Sequence, residues 1–112
     1  MKSLTVVIDR NPSVDAVASL VKEVPGGYWS ESEPCEGGID GPNGVVYVSY
    51  DGGYRRYWRE ELDDDQDRVL TSLGHEPDVA VHLHLSSRGD SAGLARDLSD
   101  RLIAAWGGLV IA

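Results

Sequence analysis

The sequence predicts an α+β fold: a mixed sheet of five or six strands, two long helices on one face, a central β-hairpin, and a layout related to the ferredoxin-like arrangement. Three observations lead there. Val79, Val81, Leu83 and Leu85 alternate with Ala80, His82, His84 and Ser86, the period of a strand with one buried face. Two longer stretches, Val14 to Val24 and Leu94 to Trp106, repeat their apolar residues at helical spacing instead. Glycine and proline cluster between the periodic stretches, and no linker or repeat divides the chain, so residues 1–112 read as one domain.

In chain order, Leu4 to Asp9 is short, β-branched and apolar on both sides, as a central strand requires. The next helix is expected to use Asn11 as its N-cap, with Pro12 at the first helical position and Asp15 in the first turn. Val14, Val17, Leu20, Val21 and Val24 share one face of it, and Pro25-Gly26-Gly27 ends it. Tyr28 to Ser32 reads as a short strand, and the glycine- and proline-rich stretch Pro34 to Gly44 as a loop. Val45 to Asp51 and Tyr54 to Glu60 flank Asp51-Gly52-Gly53 and are expected to pair as a hairpin, because glycine accepts the positive φ of a tight turn.

Glu60 to Leu73 opens on acids and stops before Gly74, which fits a helix with carboxylates at its positive end and a glycine cap at the other. Beyond the strand Asp78 to Ser86, Ser91 is expected to cap the second long helix. Its buried stripe is Leu94, Ala95, Leu98, Leu102, Ala105 and Trp106, with Gly107-Gly108 as the stop and Leu109 to Ala112 as a last strand. Strand, helix and strand at both ends of the chain imply two right-handed crossover units around the hairpin.

Composition excludes several function classes. Nineteen acids against ten bases leave a formal charge of −9, a field that repels phosphate backbones and anionic lipid and attracts basic surfaces. A protein partner is therefore expected, not nucleic acid and not a membrane; a homodimer stays open. Apolar residues at 41% and charged residues at 26% suffice for an ordinary core without metal or disulfide. Cys35 is the only cysteine, and Glu31, Glu33 and Glu36 around it favour the protonated thiol over a catalytic thiolate. The amino-terminal apolar run is too short for a signal-peptide core, and no run approaches the roughly 20 residues of a membrane span, so a reducing cytoplasm is the expected compartment.

His82 and His84, two apart on a strand, share a face at about 6.5 to 7 Å, and a third ligand would be needed before they could hold a metal ion. Asp51, His75 and Glu76 are available, but nothing in the sequence brings them to the pair; no metal and no cofactor is expected. Tyr47, Tyr50, Tyr54, Tyr57 and Trp58 interleave with Arg55, Arg56 and Arg59 and lead into the acidic run Glu60 to Asp67. Tyrosine, tryptophan and arginine dominate interface energetics, so Tyr54, Arg56, Trp58, Glu60, Glu61, Asp63, Asp64 and Asp65 are the candidate partner-binding residues. The competing reading packs one face of this hairpin on the core and leaves the acids as a solvated helix start. No serine-histidine-acid set, paired-carboxylate cleft or phosphate cradle occurs with usable context, so no catalytic residue is assigned.

The carboxyl-terminal third, through Val79 to Leu85, Ala95 to Leu102 and Trp106 to Val110, resembles small single-domain actinobacterial proteins grouped with the immunity proteins of polymorphic toxin systems. The shared motifs are packing motifs and carry over no site residue. The resemblance implies a non-catalytic module that neutralises a cognate toxin by occluding it. Two other classes stay open: a metal-dependent or small-ligand enzyme built on His82 and His84, and an oligomeric scaffold or sensor domain.

Overall fold

The computed structural model describes residues 2–30 and 36–111; Cys35 with Glu31 and Glu33, and the far ends of the strands expected to reach Ser32 and Ala112, lie outside them. The elements are β1 (Lys2–Ile8), α1 (Val14–Glu23), β2 (Gly27–Trp29), β3 (Glu36–Gly41), β4 (Gly44–Asp51), α2 (Trp58–Glu61), α3 (Gln66–Leu73), β5 (Val79–Leu85), α4 (Ser91–Trp106) and β6 (Gly108–Ile111), with 3₁₀ turns at Tyr54–Arg56 and Asp63–Asp65. The α+β class, the six strands and the two long helices on one face are as expected. The strands form one sheet in the order β2-β3-β4-β5-β1-β6, and every adjacent pair is antiparallel. Because β5 and β6 both run against β1, they are parallel to each other with β1 between them. By the same count β2 runs with β1, with three strands between them. Strand, helix and parallel strand follow one another at both ends of the chain, with intervening strands between the two members of each pair.

The first face of the sheet is covered by α1 and α4. Val17 and Val21 of α1, with Ala95, Leu98 and Leu102 of α4, pack on Val6, Ile8, Ile39, Val46, Val48, Val81 and Leu83. The strict alternation of β5 does what its period requires: the odd-numbered residues are all buried, while His82 and His84 point to the opposite face. That opposite face carries a second, smaller core. Val7, Ala80 and Ile111 lie beneath Tyr54, Trp58, Leu62, Val69 and Leu73, so β1 is covered on both sides at its carboxyl end.

The hairpin expected over 45–60 is replaced by a different one. Its first arm is β4, but β4 pairs back with β3 through a Pro42-Asn43 turn, inside the stretch expected to be a loop. Gly37 and Gly38 belong to the strand because rings from β2 lie over them: Trp29 faces Gly37 on the first face of the sheet, and Tyr28 faces Gly38 on the second. The expected second arm is not a strand. Asp51 Oδ1 accepts from the Gly53 amide at 2.9 Å, closing a turn, and Tyr54, Trp58 and Leu62 then follow at helical spacing and bury together.

Cap positions shift by one or two residues. Ser13, not Asn11, caps α1: its Oγ accepts from the Ala16 amide at 3.2 Å, which leaves Pro12 outside the helix and buried. Asp90, not Ser91, caps α4 through the Gly93 amide at 3.1 Å. Ser91 is the first helical residue and is buried, donating to the Arg88 carbonyl at 2.7 Å and accepting from the Val45 amide at 3.1 Å. In the α4 stripe, Ser99 takes the interior place expected of Ala105, its hydroxyl satisfied by the Ala95 carbonyl. The acidic helix expected over 60–73 is broken at buried Leu62, and only Gln66–Leu73 runs on, to a left-handed Gly74. No helix among the described residues is long and apolar enough to cross a membrane.

Two exposed contacts tie the segment before β5 to its surroundings. Arg55 and Arg59 both reach Glu76 at 3.1 Å, and these hydrogen bonds, that of Arg59 foremost, hold the Glu76 carboxyl below its ordinary value. His75 lies between the Glu76 carbonyl, 2.8 Å from Nδ1, and Asp9 Oδ1, 2.6 Å from Nε2. Two acceptors facing the two ring nitrogens demand the imidazolium, and the Glu76 carbonyl first, then Asp9, raises the pKa of His75.

Two predictions follow from this packing. A pKa raised on folding stabilises fully below the ordinary histidine value of about 6.5 and ceases to stabilise as pH climbs through the folded-state value. The urea midpoint of His75→Gln should therefore fall below wild type at about pH 5.5 and converge on it by about pH 8.5; a gap that widens with pH would refute the imidazolium clasp. Trp58 is fully buried, yet its indole Nε1 has no hydrogen-bond partner among the described residues. Trp58→Ala should cost about 3–5 kcal/mol in chemical denaturation, whereas Trp58→Phe, which removes the unpaired donor and keeps an aromatic ring, should cost less than about 1.5 kcal/mol.

Candidate functional site

The second face of the sheet is half covered, and register decides what the open half displays. One cross-strand row runs Tyr28, Gly38, Tyr47, His84, Ser3 across five strands. The next row runs Glu36, Ser49, His82, Thr5, Ile111, and the one beyond it Asp51, Ala80, Val7, Leu109. Tyr54 and the helices after it cover the third row and the end of the second. The first row stays open to solvent.

In that open row Tyr28 is 44% exposed and Tyr47 47%, and among the described residues these are the large apolar side chains left on the surface. Gly38 lies directly between them. A Cβ there would stand 2.7 Å from the Val46 carbonyl oxygen and 2.8 Å from the Tyr28 hydroxyl, so the tyrosine ring occupies the space that any other residue would fill. Beside the two rings is an open hollow of about 390 Å³, bordered by Glu36, Ser49 and His84. Its floor is the backbone of β3 and β4.

The histidines stand side by side on this face but do not converge. His84 Nδ1 is 2.9 Å from the Ser3 hydroxyl, and His82 Nδ1 is 3.1 Å from the Thr5 hydroxyl, so each ring is held by the neighbouring strand. His82 also lies 3.9 Å from Asp51 and 3.8 Å from Glu61, at the foot of the wall that covers the rest of the face. Among the described residues no group of three histidine, cysteine, aspartate or glutamate side chains is placed to hold a metal ion.

Of the candidate partner-binding residues, Tyr54 and Trp58 are fully buried and are corrected to core residues: they attach their segment to the sheet. Tyr54 packs edge-on against His82 at 5.6 Å and donates to Glu61 Oε1 at 3.3 Å. Burial, and then the Glu61 carboxylate, pushes its phenol far above the ordinary value, so it stays a donor. Arg56 is exposed, with its Nε bonded to the Gly53 carbonyl at 3.3 Å. Glu60, Glu61, Asp63 and Asp64 are exposed and Asp65 is half-buried; of these, Glu61 reaches the sheet face, at His82 in the second row. Tyr28 was absent from the sequence-level candidates. The signal for it was the glycine pair 37–38, which asks for aromatic rings from a neighbouring strand.

Substituting the floor should disturb these rings. Gly38→Ala should destabilise the domain by roughly 1–3 kcal/mol and shift the Tyr28 ring resonances, because the Val46 carbonyl is backbone and cannot step aside; an alanine variant with unchanged midpoint and spectrum would contradict the close approach. No family model, no curated protein and no solved structure matches this chain.

Proposed function

We propose that the chain is a non-catalytic protein-binding module, acting in the cytoplasm, whose contact surface is the open sheet row and the acidic segment beside it, and whose partner is a basic protein. The observation that carries the reading is the pairing of Tyr28 and Tyr47 across Gly38 on an uncovered sheet face. Exposed tyrosines are unfavourable for a protein without a partner and effective for one with a partner, since each brings a large rigid contact area with few rotors to immobilise. Glu61 stands 3.8 Å from His82 on that face, Glu60, Asp63 and Asp64 are exposed on the same segment, and a chain carrying −9 accelerates encounter with a basic surface. Occlusion of a toxin domain, as the immunity-type resemblance implies, is the specific form of this reading that we favour.

Calorimetric titration with basic proteins encoded in adjacent reading frames tests it. A complex is expected that weakens as salt is raised and loses tenfold or more in affinity, about 1.4 kcal/mol, in Tyr47→Ser. Absence of a complex with any of them, or a complex indifferent both to Tyr47→Ser and to neutralising Glu60 and Asp64, would overturn the proposal.

A further inference from the structure

We infer that the hollow beside Tyr28 and Tyr47 receives the guanidinium of an arginine side chain presented by the partner; the inference rests on the protein-binding reading above. Three properties of the hollow select this group. Two exposed tyrosine rings line it, and an aromatic ring attracts a cation to its face. Glu36 at its border supplies a carboxylate that would repel a phosphate or carboxylate ligand and pair with a guanidinium. The floor is the paired strand backbone of Gly37 and Val48, so among the described residues a flat group can come close to the sheet there.

A planar guanidinium stacks on an aromatic face and bonds a carboxylate through two parallel donors, and it is more weakly hydrated than an ammonium, so arginine is favoured over lysine. The chain already builds this combination internally. The Arg59 guanidinium lies 4.7 Å from the Trp58 ring centre while bonded to Glu76 at 3.1 Å. In the open hollow the ring and carboxylate are present, and the cation is the part that a partner supplies.

The test uses the intact domain and three small probes: Nα-acetyl-arginine methylamide, its citrulline counterpart, which keeps the shape without the charge, and the lysine counterpart. Ring resonances of Tyr28 and Tyr47 are followed by NMR. Saturable shifts of both are expected with the arginine probe, with affinity lower by about threefold to fivefold or more for citrulline and lower again than arginine for lysine. Glu36→Gln, an exposed change that leaves the spectrum dispersed, should weaken the arginine probe by about threefold. Unshifted rings, citrulline or lysine binding as well as arginine, or indifference to Glu36→Gln would overturn the assignment. The two proposals fail separately: a basic partner that binds through Tyr47 while the arginine probe does not leaves the module and removes the arginine site. A probe that binds while no basic partner does leaves a ligand site and removes the module.

Discussion

Burial of Tyr54 and Trp58 against Val7, Ala80 and Ile111 organises the rest of this molecule. A central strand with Val6, Val7 and Ile8 all at zero exposure needs apolar cover on both faces, and α1 and α4 supply only one. The segment after β4 supplies the other. Two aromatic side chains four residues apart do this in a single turn of chain, and truncating a ring of this kind costs several kcal/mol. The exposed pairs of Arg55 and Arg59 with Glu76 are screened by water and add orientation more than stability.

The same covering element sets where the open surface begins. Because the segment Tyr54 to Leu73 reaches the third cross-strand row and the end of the second, the first row is left bare, with Tyr28, Tyr47 and His84 on it. The segment also carries the acidic run, and its Glu61 lies 3.8 Å from His82, in the row next to the open one. Stability and the electrostatic character of the surface are thus two faces of one short stretch of chain.

Glycine in the β3 strand has a complementary part. A Gly-Gly pair weakens a strand by leaving nothing to pack, but here each position is roofed by a ring from β2, Trp29 on the helical face and Tyr28 on the open face. The missing side chain at Gly38 is what lets the Tyr28 ring approach the strand on the open face. It also explains the partial exposure of Tyr28: its ring rests on Gly38, and its outer side remains available.

Local pattern was enough for the elements whose neighbours merely agree with it. The period-two alternation of Val79–Leu85, the helical stripes of α1 and α4 and the stop at Gly74 were legible because each depends on the face a residue presents, which spacing alone sets. The acidic balance was legible for the same reason. Where local preference and tertiary packing disagreed, packing prevailed: Glu36–Gly41 is a strand because Trp29 and Tyr28 roof its glycines, and Tyr54 to Trp58 is helical because β1 and β5 needed cover. Ser13 and Asp90, rather than their neighbours, cap their helices because their own side chains meet the free amides. The sequence by itself therefore determined the class of fold, the two helical faces and the sign of the surface; only the tertiary structure decided which aromatics are buried and which stay exposed, since that depends on cross-strand register, a relation between residues far apart in the chain.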